Sequence, residues 1–116
     1  MKNPKAIRIQ YAGCEAMQKG ERLIDLTSLQ RFNGYDIGSK DINHLVLRDA
    51  SVCPMHARIV QPQPGEFALL HLESGRKDSV SIGGRWLPMG ACAPLPDGCS
   101  FNVGAVRLSF EILYHS

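Results

Sequence analysis

No run of apolar residues in this 116-residue chain approaches the roughly 20 that a membrane-spanning helix requires. An excess of one charge is also missing, since 13 Lys and Arg stand against 11 Asp and Glu for a formal net charge of +2. Binding to nucleic acid or to an anionic membrane asks for a concentrated basic stripe. Here the cations are scattered, and the densest pair, Arg76-Lys77, lies beside Asp78. Nucleic acid and direct membrane insertion are therefore not expected. Lys2 and Lys5 are followed by no apolar signal core, because Ala6-Ile7-Arg8-Ile9 is interrupted by charge. Cysteine is dispersed over Cys14, Cys53, Cys92 and Cys99. Without an export signal these read as reduced thiols of a cytoplasmic protein. Internal repeats, linkers and low-complexity tracts are absent, so the chain is expected to form one domain, residues 1–116.

Helical patterning is equally scarce, and no segment keeps an apolar stripe for three turns. One short helical turn is expected over Cys14–Glu21. Alternation of period two is abundant instead. Ile7, Ile9 and Tyr11 share one side of a run with Arg8 and Gln10 on the other. Val106, Leu108, Phe110, Ile112 and Tyr114 alternate with Arg107, Ser109, Glu111 and Leu113. Phe67–Leu72 is more uniformly apolar, as a strand covered on both faces would be. Turn signals separate such runs at short intervals: Pro64-Gly65, Gly83-Gly84, Pro96-Asp97-Gly98 and Gly104. Many short strands with frequent turns predict an all-β sandwich or barrel. Leu23–Leu29 reads as a strand placed at a sheet edge, open to pairing with a partner. Trp86 and Met89, near Leu87 and Pro88, form either an exposed apolar patch or part of the core. Tyr35 and Phe32 flank an Asn33-Gly34 turn and read as core.

Five segments, in order, carry a family resemblance. Tyr35-Asp36-Ile37-Gly38-Ser39 is followed by Asn43-His44-Leu45-Val46-Leu47-Arg48-Asp49 and then by Val52-Cys53-Pro54-Met55-His56-Ala57-Arg58-Ile59. Leu72-Glu73-Ser74 and Ser79–Gly84 come next, and Pro96–Gly104 precedes the closing strand. From Tyr35 to Ile112 the chain resembles the forkhead-associated (FHA) family. The resemblance implies a β-sandwich of about eleven short strands with recognition loops at one end. It implies phosphothreonine-peptide binding, with an Arg after the Ile-Gly pair and a Ser three residues before the His on the phosphate, and an Asn on the peptide backbone. It also implies a bracing role for the His and tight turns at the Gly positions.

The ligand-contacting positions depart from that pattern. Ser39 stands where the phosphate Arg is expected, Cys53 replaces the phosphate Ser, and Asp78 falls near the peptide Asn. Gly38, His56 and Gly84 are kept as supports of the loops. An Arg fork makes two charge-assisted hydrogen bonds to a phosphate, whereas Ser39 offers one neutral hydroxyl and Cys53 a weak donor. The expected function is a non-catalytic protein–protein interaction module with weakened or absent phosphothreonine recognition. It would act as an adaptor in a larger assembly such as a bacterial secretion system. The expected contact residues are Ser39, Lys40, Cys53, Arg76 and Asp78, and the partner is a protein or peptide, phosphorylated or not. A phosphothreonine reader in which Lys40 and Arg76 supply the missing charge is the alternative.

Enzyme and metal readings find little to build on. Cys53-Pro54-Met55-His56 has the spacing of half a zinc site, but Cys92 and Cys99 are too far apart for the usual second pair. Both read better as small hydrophobes in or near strands, with Cys53 in a loop. A Cys53–His56 nucleophile pair would need a third orienting group and an oxyanion site, and neither can be assigned. No nucleophile elbow, P-loop or zinc-protease motif occurs. No catalytic residue, metal or cofactor is expected.

Overall fold

The computed structural model describes residues 4–11, 19–26, 34–63, 65–72 and 79–115. Eleven strands run through them: β1 (Pro4–Tyr11), β2 (Gly20–Asp25), β3 (Tyr35–Gly38), β4 (Leu45–Val46), β5 (Ala57–Gln63), β6 (Glu66–His71), β7 (Val80–Ile82), β8 (Arg85–Trp86), β9 (Cys92–Pro94), β10 (Ser100–Val103) and β11 (Val106–Tyr114). They form a six-stranded sheet, β2-β1-β11-β10-β7-β8, and a five-stranded sheet, β4-β3-β5-β6-β9. The architecture is a β-sandwich, one of the two classes that the alternation predicted and the one that the resemblance implied.

Alternation in β11 does what its period dictates. Val106, Leu108, Phe110 and Ile112 are buried, while Arg107, Ser109 and Glu111 face solvent. Registry with β1 places Ile7 against Ile112, Ile9 against Phe110 and Tyr11 against Leu108. Phe101 and Val103 of β10 continue the same inner face, opposite Leu108 and Val106. The second sheet answers with Ile37, Leu45, Ile59, Phe67 and Leu69, all buried. Phe67 meets Phe110 edge-to-face at 5.5 Å between ring centroids, joining the two sheets. Each such side chain, fully buried, stabilises the fold by about 1.5–3 kcal/mol.

The turns follow their residues. Gly83 and Gly84 hold φ of 57° and 84°, the mirror-image turn that suits a two-residue hairpin, here between β7 and β8. β5 and β6 pair antiparallel on either side of a corner at Gly65, which holds φ of 81°, while Pro64 lies outside the described residues. β3 and β4 pair in parallel, so the chain between them must leave the sheet and return. That excursion, with the longer one from β4 to β5, builds one end of the sandwich.

Several details differ from the sequence reading. Of the expected helical turn, residues 14–18 lie outside the described residues, and Gly20 and Glu21 open strand β2 instead. Leu23–Asp25 does lie in an edge strand, while 27–29 lie outside the described residues. Trp86 is 61% exposed on edge strand β8, whereas Leu87 beside it is buried. Tyr35 is core, and Phe32 lies outside the described residues. Cys92 is exposed at the start of β9 rather than packed as a small hydrophobe, because β9 is itself a sheet edge.

Candidate interaction end

The end of the sandwich after β3 is held by backbone hydrogen bonds between two loops. Ser39 N–H donates to the Cys53 carbonyl (3.0 Å), and Lys40 N–H donates to the Pro54 carbonyl (3.3 Å). Asn43 reinforces the junction, since its Nδ2 donates to the Lys40 and Pro54 carbonyls at 2.7 and 2.6 Å. The Asn43 Oδ1 beside them is buried and has no hydrogen-bond partner among the described residues. Gly38 is required for this approach. A Cβ there would lie 2.2 Å from the Pro54 carbonyl oxygen and 2.7 Å from Asn43 Nδ2. Glycine at this place follows from space, not from a left-handed backbone.

The β4–β5 loop is pinned a second time. Asp49 Oδ1 accepts from the Ser51 N–H (2.9 Å) and from the Ser51 hydroxyl (2.5 Å), a local Asx arrangement. Ser51 Oγ in turn accepts from Ala105 N–H (2.8 Å), in the turn between β10 and β11. A Cβ on Gly104 would meet Ser51 atoms at 2.5 Å, and Gly104 holds φ of 60°. Both sheets therefore fix this loop.

Beneath it lies a buried polar relay. Cys53 N–H donates to His56 Nδ1 (2.9 Å), so the ring proton of that tautomer is on Nε2, which donates to Ser79 Oγ (2.8 Å). Ser79 Oγ lies 3.4 Å from His71 Nε2, and His71 Nδ1–H donates to the Leu87 carbonyl (2.7 Å). Both rings are fully buried and stack at 5.7 Å. Polar groups so deep are tolerated because they are hydrogen-bonded. The relay ties the β4–β5 loop to β7 and to the segment after β8. Both nitrogens of His56 are engaged in it. That geometry suits a brace, not a general base aimed at the Cys53 thiol.

Among the expected contact residues, Ser39 is half-exposed, Lys40 is exposed and Cys53 is buried at 7% exposure. Arg76 and Asp78 lie outside the described residues. Gly84 lies in the β7–β8 turn, where a Cβ would meet nothing within 4 Å, so only its positive φ asks for glycine. The cations nearby are taken: Arg48 pairs with Asp41, and Arg58 pairs with Asp36 at 2.5 Å. Lys40 makes no ion pair among the described residues. Tyr35 and His44 stack at 5.3 Å on the flank, with Asp36 N–H donating to His44 Nδ1. Burial pushes the Tyr35 phenol up to about 12. No group of three or more His, Cys, Asp or Glu side chains converges as metal ligands among the described residues.

Sequence reading assigned no role to Asn43, Ser51, Ser79 or His71. His71 had a legible signal, as a lone polar residue inside the apolar Phe67–Leu72 run. Asp49-Ala50-Ser51 carried the turn chemistry that pins the loop. Ser79 had none, because its partners are His56, just before β5, and His71 of β6, both from the side of the opposite sheet.

No family model matches the chain, and no curated protein is similar to it at the sequence level. Solved structures are similar to it in three dimensions. The FHA domain of CT664 protein from Chlamydia trachomatis superposes with a TM-score of 0.73 at 20% identity, covering 91% of this chain and 96% of that one. The N-terminal FHA domain of S. cerevisiae Rad53p, in complex with a phosphothreonine peptide, gives 0.72 at 12% identity over 93% and 94% of the two chains. The FhaA FHA domain, complexed with the intracellular domain of Rv3910, gives 0.67 at 17% identity over 90% and 99%. The chain thus has the forkhead-associated fold.

Proposed function

We propose that this chain is a non-catalytic protein-interaction module, acting as one domain, that meets its partner with the loops around Ser39, Lys40 and Cys53 and with weakened phosphothreonine recognition. One observation carries the reading. Where the fold is expected to present an Arg fork and a Ser hydroxyl, the chain has Ser39, with its N–H committed to Cys53, and a buried Cys53 side chain. Charged hydrogen bonds to phosphate contribute about 1.5–3 kcal/mol each. Loss of two corresponds to roughly a hundredfold to ten-thousandfold in affinity. The scaffold of the described loops is kept and braced, which is what recognition of a surface without a phosphate anchor needs. A cytoplasmic adaptor in a larger assembly, such as a bacterial secretion system, fits a module of this kind.

A second reading is favoured by Lys40, exposed and without an ion pair among the described residues, at the mouth of the loops. Similar structures were solved with phosphopeptides bound. Lys40, with Arg76, would then supply the charge. Calorimetric titration with a phosphothreonine peptide and its dephosphorylated twin separates the two. Equal, weak binding of both supports the first reading. Phosphate-dependent binding that Lys40→Ala abolishes overturns it in favour of the second.

A further inference from the structure

Away from the loops, a cavity of about 660 Å³ opens at the β9 edge. That volume falls in the range of pockets that take small molecules or the anchoring side chains of a partner. Its inner wall is core: Phe67, Leu95 and Ile112 are each less than a tenth exposed, yet line it. Among the described residues, the charged ones lining it are Glu66 and Asp97, with no Lys or Arg. The Asp97 carboxylate is held in place, since its Oδ1 accepts from Ile112 N–H (2.8 Å). The cavity is thus apolar inside and acidic at its exposed rim.

Strand addition at this edge is obstructed by the sequence. Leu95 N–H and the Ala91 carbonyl bond to β6, so the Ala91 carbonyl and the backbone groups of Ala93 and Leu95 turn inward. Cys92 and Pro94 turn theirs outward, and Pro94 has no N–H to give. An occupant must therefore engage the cavity by side chains, not by extending the sheet.

We propose that this cavity is a second docking site, for a short segment of a partner protein that inserts apolar side chains and places a Lys or Arg against Glu66 and Asp97. Charge complementarity selects that occupant over an acidic or purely apolar one. β6 runs from the cavity at Glu66 to the loop end at His71, roughly 17 Å apart at strand rise. Both sites are open to simultaneous use, which would let one domain bridge two segments.

Cys92 provides the reporter, being exposed and in the cavity wall. Alkylation by N-ethylmaleimide is followed at each cysteine by peptide mass spectrometry. Three matched eight-residue peptides are added: one with Leu, Phe and Lys, one with Glu in place of Lys, and one with Ser in place of Leu and Phe. The first is expected to slow Cys92 alkylation at least about threefold, saturably, while leaving Cys99 unaffected. Glu66→Lys should abolish this protection, and Lys40→Ala, at the loop end, should leave it intact. Absence of protection by any peptide overturns the proposal. So does equal protection by the Lys and Glu peptides, or protection by phenethylamine as strong as by the peptide, which would mark a small-molecule site. Because Lys40→Ala governs only the loop reading, the two proposals fail separately.

Discussion

Adding one methyl group at Gly38 tests the account of the loop junction. The Cβ of Gly38→Ala would lie 2.2 Å from the Pro54 carbonyl oxygen and 2.7 Å from Asn43 Nδ2. The first is backbone and the second a buried amide held by two carbonyls, so the Pro54 peptide must move. Movement breaks two bonds that converge on that oxygen, from Asn43 Nδ2 and from Lys40 N–H. Each contributes about 1 kcal/mol net, and more when a buried partner is left unmade. Overpacking strain adds about 1–3 kcal/mol. The sum, roughly 3–5 kcal/mol, is a large part of the ~5–15 kcal/mol that a domain of this size holds. Gly84→Ala is the internal control, because a Cβ there meets nothing and only the positive φ resists it. Its cost should be about 1 kcal/mol, in the range for left-handed backbone. Urea unfolding, followed by Trp86 fluorescence and by far-UV circular dichroism, measures both. If Gly38→Ala costs no more than Gly84→Ala, the close approach of the two loops described here is wrong.

Three further outcomes follow from the same geometry. Ser79→Ala removes the acceptor of His56 Nε2–H and the hydroxyl near His71, and should lower stability by about 2 kcal/mol in urea unfolding, with slow-exchanging amides lost at Cys53. Tyr35 holds its proton to about 12 in the folded state, so the folded chain binds more protons than the unfolded one between about pH 10 and 12. Stability is then complete below pH 10 and falls as the pH rises. Tyr35→Phe should show a shallower decline in urea midpoint between about pH 10 and 12 than the unaltered chain. Cys99 is half-buried, and burial raises its thiol above the ordinary range, so it should alkylate more slowly than exposed Cys92 at neutral pH, as read by mass spectrometry.

Much of the fold was written locally. Each residue of β11 declares its face by alternation, and Gly83-Gly84 declares a corner by backbone chemistry that needs no distant partner. The Gly38 and His56 positions were legible because they resemble a family pattern. Partners that come from the far sheet were not legible. Ser79 reads as an ordinary surface residue until β5 and β6 bring His56 and His71 to it. Cys92 reads as a small hydrophobe in or near a strand, and only β9 proving to be an edge leaves it open beside a cavity. Trp86 could be assigned to neither place until β8 was seen to end its sheet.

Sequence alone determined the class of fold and the strand faces, since these depend on residue type and period. Tertiary structure decided which strands became edges, which polar groups met in the interior, and where an apolar hollow with an acidic mouth would open. Those depend on contacts between residues far apart in the chain, and no local pattern encodes a distance.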